Sequence, residues 1–90
     1  MSRYINTRIR KSADGAKWLV EGQSTSTYNW DTILSYPADR EGSEDKAKTA
    51  ACSLALDFSK KTRQLVTAVN GAGYELASYL KGKLYRKKEG

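Results

Sequence analysis

A single stretch of helical periodicity stands between segments that alternate every second residue, and that contrast restricts the chain to a sheet carrying one helix. Ala47, Ala50, Ala51, Leu54, Ala55 and Phe58 recur at the three- and four-residue spacing that lines one side of a helix. Ser43 offers a hydroxyl for the N-cap, and Glu44 and Asp45 fall in the first turn, at the positive end of the helix dipole. Lys60 and Lys61 close the segment at the negative end. The spacing predicts a helix over about residues 44–60. Its buried stripe is mostly alanine, so it can approach a sheet closely.

The flanking segments carry strand periodicity. In residues 4–11, Ile5, Thr7 and Ile9 alternate with Asn6, Arg8 and Arg10. Ser12-Ala13-Asp14-Gly15 is turn chemistry, and from Lys17 to Glu21 the alternation resumes with Trp18 and Val20 on one side. The two runs read as a hairpin. A third strand falls within residues 27–36, where Tyr28, Trp30, Thr32, Leu34 and Tyr36 share one parity. Pro37 to Gly42 reads as a loop. After the helix, residues 64–69 are β-rich and Asn70-Gly71 is a strong turn signal. Residues 74–80 fit a strand, with Tyr74, Leu76, Ser78 and Leu80 on one face, or a helix stacking Leu76, Leu80 and Leu84; the preceding turn favours the strand. The expected fold is α+β, a small antiparallel β-sheet in β-β-β-α-β-β order with one main helix packed on one face. Residues 1–90 form one domain, with 81–90 a basic C-terminal tail.

Composition narrows the chemistry. The chain has no histidine and one cysteine, Cys52, which removes the usual general base near neutral pH, the Cys-His pair and any four-ligand zinc site. Asp39, Glu41, Glu44 and Asp45 are the remaining candidates for a magnesium site, but acids are expected there for solvation and for the helix dipole. Gly71-Ala72-Gly73 lacks the third glycine and the following helix of a phosphate loop, and reads as a turn. Cys52 lies beside the apolar stripe as a small packing residue. The expectation is a protein that is not an enzyme, with no cofactor, no metal and no catalytic residue. No apolar run approaches the ~20 residues of a membrane span, and residues 1–6 lack a signal-peptide core, so a cytoplasmic location without membrane contact is expected.

Charge is the informative part. The net charge is +6, distributed as +4 over residues 1–20, −4 over 21–59 and +6 over 60–90. Arg8 and Arg10 share a strand face opposite the isoleucines, so if the isoleucines meet the helix the arginines lie on the open side. Arg3, Lys17 and Arg63 extend that patch, and Lys81, Lys83, Tyr85, Arg86, Lys87 and Lys88 add the basic tail. Such a surface attracts polyanions, either nucleic acid or an acidic or nucleoprotein partner. Trp18 and Trp30 are expected in the core. Tyr28 and Tyr36 remain open between core packing and a stacking or hot-spot role on the surface. A monomer and a dimer fit equally well.

Three strands followed by a helix, over residues 4–60, resembles in layout the DNA-binding domains of plant ERF-type factors and of integrase arm-binding regions, which read a groove with their sheet. The acidic stretch from Asp39 to Asp45 departs from that pattern. Lys81-Gly82-Lys83-Leu84-Tyr85 resembles the start of an RNA-recognition-motif signature, without its aromatic positions. The size and ββαββ outline are also similar to small phage-encoded inhibitors such as anti-CRISPR proteins. The residues therefore lead to a non-catalytic binding protein that engages nucleic acid or a nucleic-acid-handling complex. The last resemblance implies the alternative: a phage or mobile-element inhibitor in the host cytosol that docks on a host defence protein complex.

Overall fold

Strand β1 (Tyr4–Lys11) turns back into β2 (Lys17–Ser24) as an antiparallel hairpin. The turn between them is held by local chemistry. Ser12 Oγ donates to Asp14 Oδ1, the Ala16 amide donates to the same carboxylate, and Gly15 takes the positive φ of 73° that the reversal needs. Strand β3 (Trp30–Pro37) pairs antiparallel with β2. Helix α1 (Ser43–Thr62) crosses over the sheet, and β4 (Leu65–Val69), β5 (Glu75–Leu80) and β6 (Lys83–Tyr85) follow. The computed structural model describes residues 4–86. Arg3, Lys87 and Lys88, all expected in the binding surface, lie outside the described residues.

The strand order is β3-β2-β1-β4-β5-β6. The α+β outline is as the periodicity requires, with two differences. The sheet is mixed rather than antiparallel throughout, because β1 and β4 pair in parallel at its centre, Asn6 opposite Thr67 and Arg8 opposite Val69. The segment expected as a tail begins with a sixth strand: Lys81-Gly82 closes a two-residue turn, both residues at positive φ, and Lys83–Tyr85 pairs back onto β5. Residues 75–80 are a strand, the reading the Asn70-Gly71 turn favours.

The core is one layer thick between α1 and one face of the sheet. The line Ser43, Ala47, Ala51, Ala55, Ser59 repeats every four residues and is buried along its length. These small side chains let the helix sit close enough for Thr7 Oγ1 to donate to the Ala51 carbonyl at 2.8 Å. Ile9, Val20, Val66, Ala68 and Phe58 complete the buried apolar set. Ser43 is the first helical residue rather than the cap. Gly42, at φ 77°, is the N-cap and makes no side-chain hydrogen bond there. A bulge between Tyr4 and Asn6 turns the Tyr4 ring onto Phe58, centroid to centroid 4.9 Å. Among the described residues no helix is long and apolar enough to cross a membrane.

Candidate binding face of the sheet

Helix α1 covers one face of the sheet and, among the described residues, no element covers the other, the bare face. Strand register assigns the bare face. Asn6, Arg8 and Arg10 of β1 lie beside Gln23, Glu21 and Leu19 of β2, with Lys17 at the end of the same row. Thr67 and Val69 of β4 continue the row from Asn6 and Arg8, and Ser78 and Leu80 of β5 lead to Tyr85 and Lys83 of β6. Arg8, Arg10, Lys17, Lys83 and Tyr85 thus share one face, as the alternation of β1 implies for its arginines.

The two arginines are not free. Each donates from Nε to the same oxygen, Glu21 Oε1, at 2.8 Å. The Glu21 side chain is only 3% exposed, so the carboxylate sits beneath its partners. Burial pushes its carboxyl up, but the hydrogen bonds and charges of Arg10 and Arg8 outweigh that and hold it below the usual carboxylate range. The same pairing raises the Arg10 guanidinium. Arg8 also lies over the Trp30 ring, 4.1 Å from guanidinium carbon to centroid. One carboxylate serves two cations, so the cluster keeps a net positive charge while its geometry is locked.

That arrangement has a measurable consequence. A carboxylate whose folded-state pKa is depressed adds stability that is fully present above its unfolded value, about 4.3, and is lost as pH falls through the folded value. Glu21→Gln is expected to lower unfolding stability by about 1–2 kcal/mol at neutral pH, the arginines being partly exposed to water. The same variant should flatten the stability profile below about pH 4.3. Denaturant melts of both proteins between neutral and acid pH check it, and unchanged acid sensitivity would show that Glu21 carries no such load.

The remaining expected site residues are scattered differently. Arg63 and Lys81 lie at the helix C-terminal end of the sheet, and Arg86 follows β6, exposed. Tyr28, in the turn before β3, is 64% exposed at φ 60° and stays a surface candidate. Tyr36 packs against the core on the helix side, where it lines a groove with Asp45, Lys46, Thr49 and Ala50, so it is no platform on the bare face. Trp18 packs partly against the core as expected, with the Lys11 ammonium 5.5 Å from its ring centroid. Trp30 does not: it lies on the bare face under Arg8.

The reversal between Trp30 and Tyr36 has one cause. Val20 pairs with Leu34 but Glu21 pairs with Thr32, so Ile33 is an extra residue in β3. A one-residue bulge switches parity, and residues before and after it on the same sequence parity face opposite ways. Sequence reading also missed Glu21 as the partner of the arginines. Alternation alone did not carry it: Glu21 falls opposite Arg8 only when Lys11 is set opposite Trp18, with residues 12–17 between them. Among the described residues no group of His, Cys, Asp and Glu comes together to hold a metal ion. Cys52 is half-buried beside Tyr79, whose hydroxyl is pushed up by burial and by Cys52. Compared with protein-family models, with curated proteins and with solved structures, the chain finds no match.

Proposed function

We propose that the protein is a non-catalytic binding protein whose bare sheet face takes a nucleic acid strand. The observation that carries the reading is the charge on that face: among the described strand residues, Arg8, Arg10, Lys17 and Lys83 stand against Glu21 and Glu75, with Trp30 and Tyr85 as aromatic neighbours. The face is broad and shallow. Six strands at ~4.8 Å spacing span about 24 Å, wide enough for several nucleotides laid across the strands. No deep cleft is needed for such contacts. The cations bind phosphates, the aromatic rings offer stacking surfaces, and the pairing of both arginines with Glu21 holds their guanidinium groups in place before the ligand arrives.

Binding of this kind is steeply salt-dependent. With about four phosphates neutralised, affinity is expected to fall about 10²-fold between 50 and 200 mM salt. Fluorescence anisotropy with labelled single- and double-stranded DNA and RNA measures it. Arg8→Gln with Arg10→Gln should weaken binding and shallow the salt slope. Absence of binding to every probe at 50 mM salt would overturn the reading.

A second reading has its own observation. Leu19, Leu65, Val69 and Leu80 are partly or fully exposed on the same face, and Arg8 is already committed to Glu21 and Trp30. An arginine–tryptophan pair held in place by Glu21, on a face that also exposes apolar side chains, suits a protein–protein contact. This is the inhibitor alternative, in which the face docks on a protein partner. Its mark is a stoichiometric complex that survives moderate salt and fails on Trp30→Ala rather than on loss of lysines.

A further inference from the structure

We propose that the cleft between Lys60, Arg63 and Lys81 is a binding site for a phosphate group. These three residues come from two pieces of chain: the end of α1, with its last turn and C-cap, and the β5–β6 turn. Among the described residues they alone line one cleft of about 370 Å³. None of the three forms an ion pair among the described residues, although the chain supplies acids elsewhere. Most of those acids, including Asp14, Asp39, Glu41, Glu44, Asp45 and Glu75, lie toward the opposite end of the strands.

Helix-end electrostatics explain only part of this. Lys60 and Lys61 both answer the negative end of the helix dipole, yet only Lys60 lines the cleft. Arg63 and Lys81 lie beyond the helical turns, and each occupies a backbone position that another residue type would fill more easily. Arg63 sits at φ 57° as the C-cap, its N–H donating to the Ser59 carbonyl, where glycine or asparagine is usual. Lys81 sits at φ 52° in a two-residue turn, where asparagine is preferred before glycine. Two left-handed positions at one cleft therefore each carry a cation. The structure also fixes the turn against the helix. The Gly82 amide donates to Ser59 Oγ at 2.9 Å, and a Cβ at Gly82 would overlap the Lys60 stem, so glycine there lets that side chain lie across the turn.

Three like charges converging with no ion-pair partner among the described residues are mutually repulsive, and a bound dianion removes the repulsion. A planar guanidinium fork with two ammonium groups suits the tetrahedral oxygens of phosphate. Free phosphate or pyrophosphate and a phosphate carried on a nucleic acid strand share this chemistry. The site is separate from the bare sheet face and stands if that reading fails.

The test is a titration of the isotope-labelled chain with sodium pyrophosphate at constant ionic strength, followed by amide NMR. Saturable shifts at Lys60, Arg63, Lys81 and Gly82 are expected. Arg63→Gln with Lys81→Gln should weaken binding by about tenfold or more for each charged contact removed. The single variant Lys81→Gln, at an exposed turn, serves if the double variant does not fold. A second arm compares a 5′-phosphorylated oligonucleotide with its unphosphorylated form. A preference for the phosphorylated strand assigns a terminal monoester, and equal shifts at these residues assign a backbone diester. Unsaturable shifts, shifts spread evenly over lysines such as Lys17 and Lys46, or indifference to the substitutions would overturn the site.

Discussion

Ile9→Ala is expected to lower unfolding stability by about 2–5 kcal/mol and to leave the protein partly unfolded near body temperature. A domain of this length has roughly 5–13 kcal/mol in all. Ile9 is 1% exposed, and with Val20 and Val66 it is one of very few large side chains wholly enclosed between helix and sheet. The core cluster that holds it draws mostly on alanines from α1, Ala47, Ala51 and Ala55, which are too short to fill the space left by three missing carbons. The void would persist, and a melt should drop by roughly 10–30 °C. Ile9→Val, which removes one methyl, should lower stability by about 0.5–1.5 kcal/mol. Equal losses for the two variants would mean that the core collapses freely around the site.

Ala51→Leu tests the same layer from the opposite direction. Ala51 is fully buried, and its carbonyl accepts the Thr7 hydroxyl, so helix and strand meet at backbone distance there. A leucine must either lift the helix, breaking that hydrogen bond and loosening Ala47 and Ala55, or force its own rotamer. Overpacking of this kind costs about 1–3 kcal/mol, and loss of the buried hydrogen bond adds about 1 kcal/mol. Ser53→Leu, two residues along on the exposed side of the helix, should be within about 0.5 kcal/mol of the parent. Chemical denaturation of the three proteins gives the comparison. A tolerant Ala51→Leu would show that the small-residue stripe is not what sets the helix-to-sheet distance.

Local signals were legible and long-range ones were not. The alanine stripe, the dipole charges and the Asn70-Gly71 turn each act within a few residues, and they placed α1, the first hairpin and β5. The parallel contact of β1 with β4 joins segments about sixty residues apart, and neither strand's composition announces its partner. Strand β6 escaped because its lysines read as a solvated tail, although Lys81-Gly82 is a workable hairpin turn. Bulges account for the misplaced aromatic. Parity assigned Trp30 and Tyr36 to one face, and the extra residue at Ile33 divides them between two. Of the candidate face, Arg8 and Arg10 were legible from alternation alone. Their shared carboxylate required a hairpin register, and the cleft at Lys60, Arg63 and Lys81 required the packing of the last turn onto the helix end.

The central parallel pairing has a consequence for how the molecule is assembled. Residues 4–37 and 65–85 are each a three-stranded meander whose pairings are all between neighbours in sequence, so each can zip locally. Their junction can close only after the intervening chain has been drawn in, and α1 rests on both halves at once. The seam between the meanders is therefore the slow commitment in building the sheet. Until it closes, β1 and β4 both present unpaired edges that a neighbouring molecule could capture, so crowding during synthesis is where this architecture is most exposed to error.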